Sequence, residues 1–328
     1  MISIHEKIVS QMVMFLCIAA YFSYTPIAGA AVKNPVIGDT YRVDVDAFIP
    51  LFSVPSTEFK YEVGVKGNLC RELDTILMPG FYVHVDEILK NGVVRVTVTN
   101  GSYAISGYVH RKFVEESMSP CESTDFSSPD KRAIPPSMNV ISEKLNGIME
   151  ARYCYGCNSS EEIKLDGLYK FSQENLEGPR RSFKCCGFDS SGLVHYVSNG
   201  YLPHNTNELI ELGVILLSID TKKELSYDDL DLIMNKVADT DLVVFIFRGD
   251  ERSLYRFGHV IMAWKFGFIE SGGVNLGIVR TSRQEAKSRL AQMWREAKAA
   301  GSNLYVVKWH PSFFVETKVE KLDEQAIR

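Results

Sequence analysis

The sequence predicts an α+β protein: a small all-β barrel, then a domain in which helices come first and a mainly antiparallel sheet follows. Three observations carry that expectation. From 34 to 116 short runs alternate apolar and polar residues, from 117 to 137 the chain turns to Ser, Pro and Asp, and from 138 to 328 helix-like and strand-like pieces succeed one another.

At 328 residues, 45% hydrophobic and 23% charged, the chain has the make-up of packed globular protein and room for two domains. A formal net charge of -5 supplies no basic field for a nucleic-acid backbone, so nucleic acid is not an expected partner. The start reads as an export signal: Lys7, the apolar run "MVMFLCIAAYF" from Met12 to Phe22, then small residues in "PIAGAA". Residues 1–30 are accordingly read as a signal peptide cleaved after Ala30, with the product exported to the periplasm, the cell envelope or the medium. That run of eleven residues is shorter than the roughly 20 that span a bilayer, so no stable membrane insertion is expected after cleavage.

Within 34–116, "TYRVDVDAFIPLF", "YEVGVKG", "FYVHVDEI", "GVVRVTVTN" and "ISGYVHRKFV" read as five strands divided by Gly, Pro and Asn, the spacing of a small barrel. The linker 117–137, "SMSPCESTDFSSPDKRAIPPS", has prolines that favour extended backbone and is expected to fold with neither neighbour. Helical spacing resumes in "VISEKLNGIMEARY", where Val140, Ile141, Leu145, Ile148 and Met149 share a face. Beyond it "NELIELG" and "DLDLIMNKV" read as helices, and "DLVVFIFR", "HVIMAW" and "GFIESGG" as strands. "SRQEAKSRLAQMWREAKAAG" reads as a long helix closed by Gly301, and "LYVVKWH" as a last strand.

One stretch, "GFDSSGLVHYV" from Gly187 to Val197, runs a polar corner into an amphipathic helix, as many enzymes present a nucleophile. Taken alone, Asp189-Ser190-Ser191-Gly192 is explained as a helix cap. The surrounding order of motifs is not required by capping. "ARYCYGCN" resembles the Tyr-x-Trp-Gly-Gly-Asn turn of the NlpC-type peptidases, papain-like cysteine endopeptidases that cut bacterial cell-wall peptides, with Cys157 where the second Gly would be. "GFDSSGLVHYVSNGYLPHNTNEL" resembles that family's Phe-Asp-Cys-Ser-Gly-Leu-Val start, aromatic helix and Leu-Pro-x-x-Thr. "DTDLVVFIF" and "GHVIMAW" resemble the strands that lead to and carry the catalytic histidine, here His259. The family's third polar residue falls on Glu270 of "GFIESGG". In the β segment, "PLFSVPS", "NGVVRV" and "GYVHRKFV" resemble the bacterial SH3 domains attached to cell-wall enzymes. The resemblance implies an SH3-like β-barrel over 34–116 and a papain-like domain with an antiparallel sheet over 138–328.

Position 190 departs from the pattern, because the nucleophilic cysteine is replaced by serine. A helix N-terminus and an imidazolium partner lower a thiol pKa into the neutral range, whereas a hydroxyl needs a positioned base during attack. Three readings stay open at Ser190: an engineered Cys-to-Ser change, a natural pseudoenzyme, or a slow nucleophile working with His259. Cys186 lies four residues upstream, before the helix starts, and is a poor substitute. Among the other histidines, His195 is about 140° round the helix from Ser190. His84 and His110 belong to the β segment, His204 is in the loop after Pro203, where it could line the cleft, and His310 reads as structural.

By resemblance the catalytic set is Ser190, His259 and Glu270, with Asp189, Tyr153 and Ser191 binding the free amino end of a stem peptide. An SH3-domain acid would join them, and the sequence offers Glu58, Glu62, Asp86 and Glu87 without choosing. The implied activity is acyl transfer at a D-glutamyl-diamino acid bond of peptidoglycan stem peptides or muropeptides. The alternatives are a silent peptidoglycan-binding module and a serine-dependent amidase or acyltransferase. No metal or organic cofactor is expected. Cys154-x-x-Cys157 with Cys185 and Cys186 also admits a zinc reading, but no histidine stands at ligand spacing, and disulfides or buried thiols are expected of the six cysteines after the signal.

Overall fold

The computed structural model describes residues 34–63, 67–100, 103–121, 134–165, 167–173, 184–246, 258–265, 267–272 and 276–309. The signal peptide read at 1–30 and most of the linker lie outside them. Among the described residues no helix is long and apolar enough to cross a membrane.

The alternating runs of the N-terminal segment form β1 (Thr40–Val43), β2 (Ile49–Phe52), β3 (Glu58–Val63), β4 (Gly67–Leu69), β5 (Leu73–Leu77), β6 (Tyr82–Ile88), β7 (Val93–Thr99) and β8 (Ala104–His110). A short helix α1 (Arg111–Glu116) leads to β9 (Met118–Cys121). The first sheet runs β5-β2-β8-β7-β6-β1-β9, with Val83, Val85, Val94, Val96 and Val98 buried beneath it. Two expectations are corrected here. Among the described residues this sheet does not close into a barrel. The outer edge of β5 is occupied instead by the buried Asn158 side chain, whose Oδ1 accepts from Ile76 N at 3.2 Å and whose Nδ2 donates to Ile76 O at 3.0 Å. Nor does the linker fold with neither neighbour, since β9 at its start pairs antiparallel with β1.

The second half contributes α2 (Met138–Gly147), β10 (Tyr153–Cys154), β11 (Asn158–Lys164), β12 (Lys170–Gln173), β13 (Lys184–Phe188), α3 (Ser190–Val197), α4 (Thr206–Leu212) and β14 (Val214–Ile219). After these come α5 (Tyr227–Lys236), β15 (Leu242–Ile246), β16 (Gly258–Trp264), β17 (Gly267–Ser271), β18 (Ile278–Thr281), α6 (Arg283–Ala299) and β19 (Leu304–Lys308). The chain is thus α+β, and its last sheet, β14-β19-β15-β16-β17-β18, is antiparallel at every pairing. One face packs α2 and α3 through Ile141, Leu193, Val197, Val260 and Met262. The other packs α5 and α6 through Ile233, Ile261, Phe268, Leu290 and Met293. Alternation along β16 therefore sends Val260 and Met262 to one core and Ile261 to the other, as the sequence pattern expects.

A middle sheet, β11-β13-β10-β4-β3-β12, takes strands from both halves of the chain. Tyr153 of β10 pairs in parallel with Gly67 of β4 and with Phe188 of β13, and Phe171 of β12 with Phe59 of β3. Phe52, Phe59 and Tyr169 cluster beneath, the two phenylalanine rings stacked at 4.0 Å. Residues from Val36 onward accordingly make one compact unit, so contacts from the N-terminal strands reach the C-terminal site.

Candidate active site

Helix α3 begins where β13 ends. Asp189 is its N-cap, with Oδ1 accepting from Gly192 N at 2.7 Å, and Ser190 is the first helical residue. Because Asp189 takes the Gly192 N–H, the Ser190 and Ser191 N–H groups keep no acceptor among the described residues and stand at the positive end of the helix. The neighbouring turn is tied to the same carboxylate: Gly156 N donates to Asp189 Oδ2 at 2.8 Å, and Asp189 N to Cys157 O at 3.2 Å. Ser271 Oγ donates to Phe188 O at 2.7 Å, which couples the end of β13 to β17.

His259 and Glu270 face the α6 side of the sheet. Their side chains meet at 2.6 Å between Nε2 and Oε2, and the Glu270 side chain is only 4% exposed. Arg289 of α6 grips the same carboxylate, with Nε to Oε1 at 2.5 Å and Nη2 to Oε2 at 2.7 Å. Burial opposes charge on Glu270, but the hydrogen bonds from Arg289 and His259 outweigh it and hold the carboxyl down at about 2. Glu270 is therefore an acceptor at neutral pH, and Nε2 of His259 is assigned as its donor. That leaves Nδ1 as the ring nitrogen without a partner among the described residues. Arg289 was not singled out in the sequence, because a helix residue nineteen positions beyond Glu270 gives no local signal.

Ser190 stands between two cavities. One, of about 610 Å³, is also lined by His259, Glu270 and Arg289, so the expected catalytic residues are brought to a common space. The other, of about 470 Å³, is lined by Asp74, Tyr153, Tyr155, Asp189, Ser191 and His204. Tyr153, Ser190 and Gly258 border both. Burial raises the Tyr153 and Tyr155 phenols, which stay neutral.

The N-terminal strands bring Asp74 of β5 to the wall of this second cavity, an acid that was not among the sequence candidates. Of those, Glu58 pairs with Lys170 and Asp86 accepts from Thr97, away from this cavity. Asp74 makes no hydrogen bond among the described residues, and burial, reinforced by Asp189, raises its carboxyl. Asp189 is differently placed: Oδ1 takes Gly192 N, His204 Nε2 at 2.8 Å and Ser191 Oγ at 3.2 Å, and Oδ2 takes Gly156 N. Its lone pairs are largely spent on holding the loop. His204 continues the chain through Nδ1 to Thr75 Oγ1 at 2.8 Å, joining β5 to the nucleophile corner.

His195 is buried as its helical phase requires, with Nδ1 against Leu202 O at 2.7 Å and Nε2 unpartnered. Burial foremost, then the nearby His204, drops its pKa from 6.5 to about 3, so it is held neutral. The unfolded chain then binds this proton more readily, and stability is lost as pH falls below 6.5. Urea unfolding should show that loss between pH 6.5 and about 5, above the carboxylate range, and His195→Gln should flatten it.

Among the described residues no group of three or more His, Cys, Asp or Glu could hold a metal ion. Cys70 and Cys154 are buried free thiols, and Cys157 is disulfide-bonded.

No family model matches the chain, and no curated protein matches it. Similar solved structures include an NlpC/P60 family protein from Bacillus cereus, at a TM-score of 0.41 and 11% identity over 83% of this chain and 99% of that one. NlpC2 from Trichomonas vaginalis aligns at 0.28 and 10% identity over 76% and 95%, and NlpC1 from the same organism at 0.31 and 10% over 87% and 98%. At TM-scores of 0.41 and below these likenesses carry no step toward function, which rests on the geometry above.

Proposed function

We propose that this chain is an acyl-transfer hydrolase of peptidoglycan stem peptides, with Ser190 as nucleophile, His259 as base and Glu270 as the residue that orients it. The observation that supports the reading is the carboxylate on Nε2 of His259, which leaves Nδ1 for the hydroxyl in the cavity the two residues share. Two departures from the cysteine-peptidase pattern then match each other. A serine needs a base that becomes cationic only during attack, and a carboxylate stabilises that transient imidazolium.

In this mechanism Ser190 Oγ adds to the scissile carbonyl carbon while its proton passes to His259. The Ser190 and Ser191 N–H groups hold the oxyanion, each such donor being worth about 10²–10³ in rate. The tetrahedral adduct expels the amine, which takes the proton from His259, and water repeats the sequence to free the acid. The other cavity takes the free amino end of the peptide: Asp74 supplies the unpaired carboxylate, and Tyr153, Ser191 and the remaining lone pair of Asp189 supply acceptors. The bond we assign is D-glutamyl-diamino acid, and the working place is the cell envelope of the exported chain.

An alkyl fluorophosphonate tests the nucleophile without a substrate, because it phosphonylates activated serines. Ser190 should be labelled in the parent and not in Ser190→Ala or His259→Ala. Muropeptides with a free amino end should be cut, as read by mass spectrometry, and their N-acetylated forms left intact. Tight muropeptide binding with neither labelling nor cleavage would replace this reading with a silent binding module.

A further inference from the structure

We infer that Arg289 is a positioning residue which, by gripping both oxygens of Glu270, fixes the His259 ring with Nδ1 presented to Ser190 and offsets the carboxylate's charge. The inference rests on the reading of His259 as the base, and it adds a residue that neither motif contains. Both guanidinium contacts are charge-assisted, at 2.5 and 2.7 Å, and the Arg289 side chain is only 13% exposed. Nη2 lies 3.1 Å from His259 Nε2, so two donors converge on the one oxygen, Oε2. Far from being loose, the guanidinium is steadied by Glu296, 3.4 Å from Nη1, itself held by Gln292 at 2.8 Å.

The arrangement has a consequence for chemistry. A buried carboxylate against a histidine favours the imidazolium, which cannot act as base. Among the described residues the charged groups that share a cavity with His259 are Glu270 on β17 and Arg289 and Glu296 on α6, with the neutral Tyr153 of β10 across the cavity. Arg289 sets a positive charge against both oxygens of that carboxylate and so opposes its field at the ring. A planar fork is needed for the grip, and lysine can replace its charge but not its two parallel donors.

The two contributions separate in Arg289→Gln and Arg289→Lys. Fluorophosphonate labelling of Ser190 should fall about tenfold in Arg289→Gln, which removes both the charge and the fork that hold the Glu270 carboxylate against the ring. Arg289→Lys should lose less, because it restores the charge but not the two parallel donors. Independently of any reaction, nitrogen-15 shifts of His259 should report the Nε2–H tautomer in the parent and a mixed population in both variants. If the parent is unlabelled, the acyl-transfer reading fails while the nitrogen-15 comparison still decides the role of Arg289. A folded Arg289→Gln with unchanged tautomer and labelling rate overturns the inference. Should that variant unfold, an Arg289→Lys indistinguishable from the parent in rate and tautomer overturns it equally.

Discussion

Gly156→Ala is expected to cost the fold more than about 4 kcal/mol, in the range reserved for a few specific mechanisms. Gly156 has φ +70, which an L side chain adopts at a cost of roughly 1–2 kcal/mol. Strain is the smaller part. An added Cβ would come within 2.7 Å of the Leu73 carbonyl carbon and 2.9 Å of its Cγ, with the carbonyl oxygen nearer still. The obstacle is the backbone of β5, which cannot swing aside as a side chain would. Relief requires moving β5, and with it Asp74 and Thr75, away from the turn whose Gly156 N–H holds Asp189. Gly167→Ala is the control, since Gly167 also has positive φ, +93, but nothing lies within 4 Å of its Cβ position. Urea unfolding should place the control within about 2 kcal/mol of the parent. A Gly156→Ala as mild as the control would mean that strand and turn do not approach so closely.

That contact also marks the limit of what the sequence could tell. The elements that carry Ser190, His259 and Glu270 were legible because each has a local pattern: a capped helix start, an alternating strand, and the strand after its turn. Strands β15, β16, β17 and β19 of the antiparallel sheet were legible for the same reason, being mostly buried apolar runs bounded by turns, whereas the partly exposed edge strands β14 and β18 were missed. Arg289 and Asp74 were not legible, since each reaches the cavities from an element whose place is set by tertiary packing, whereas the loop position of His204 after Pro203 already put it beside the cleft. Asp74 is one of several acids in a β segment, and its place at the cavity follows from the pairing of β5 with β2 on one side and with the Asn158 side chain on the other. The middle sheet was hidden in the same way. Parallel pairing of β12 with β3 and of β10 with β4 joins residues about a hundred positions apart, and no local alternation encodes which partner a strand takes. The closed barrel failed as an expectation because strand count alone does not say whether an edge is met by another strand or by a side chain.

Asp189→Ala should lower stability at neutral pH by about 3–5 kcal/mol, because it removes a buried charge around which four donors are arranged. Gly156 N, Gly192 N and His204 Nε2 would each lose an acceptor, and the first turn of α3 its cap. Burial alone would raise the Asp189 carboxyl above 3.8, but the charge and hydrogen bond of His204 and the N–H groups of Gly192 and Gly156 bring it lower. A carboxyl depressed in the folded state contributes stability above its unfolded value and loses it as pH falls through the folded one. The gap between parent and Asp189→Ala should therefore be full at neutral pH and narrow below about 3.8. Asp189→Asn should fall between them, losing roughly 2 kcal/mol, because its Oδ1 still serves Gly192 and His204 while its amide nitrogen meets the Gly156 N–H donor against donor. Reactivity should follow a different order from stability. In the proposed mechanism the Ser190 and Ser191 N–H groups hold the oxyanion at a helix start that Asp189 caps, so fluorophosphonate labelling should fall sharply in Asp189→Ala even at temperatures where the variant is folded. An Asp189→Ala that stays within about 1 kcal/mol of the parent and labels normally would show that the corner is held by something other than this carboxylate.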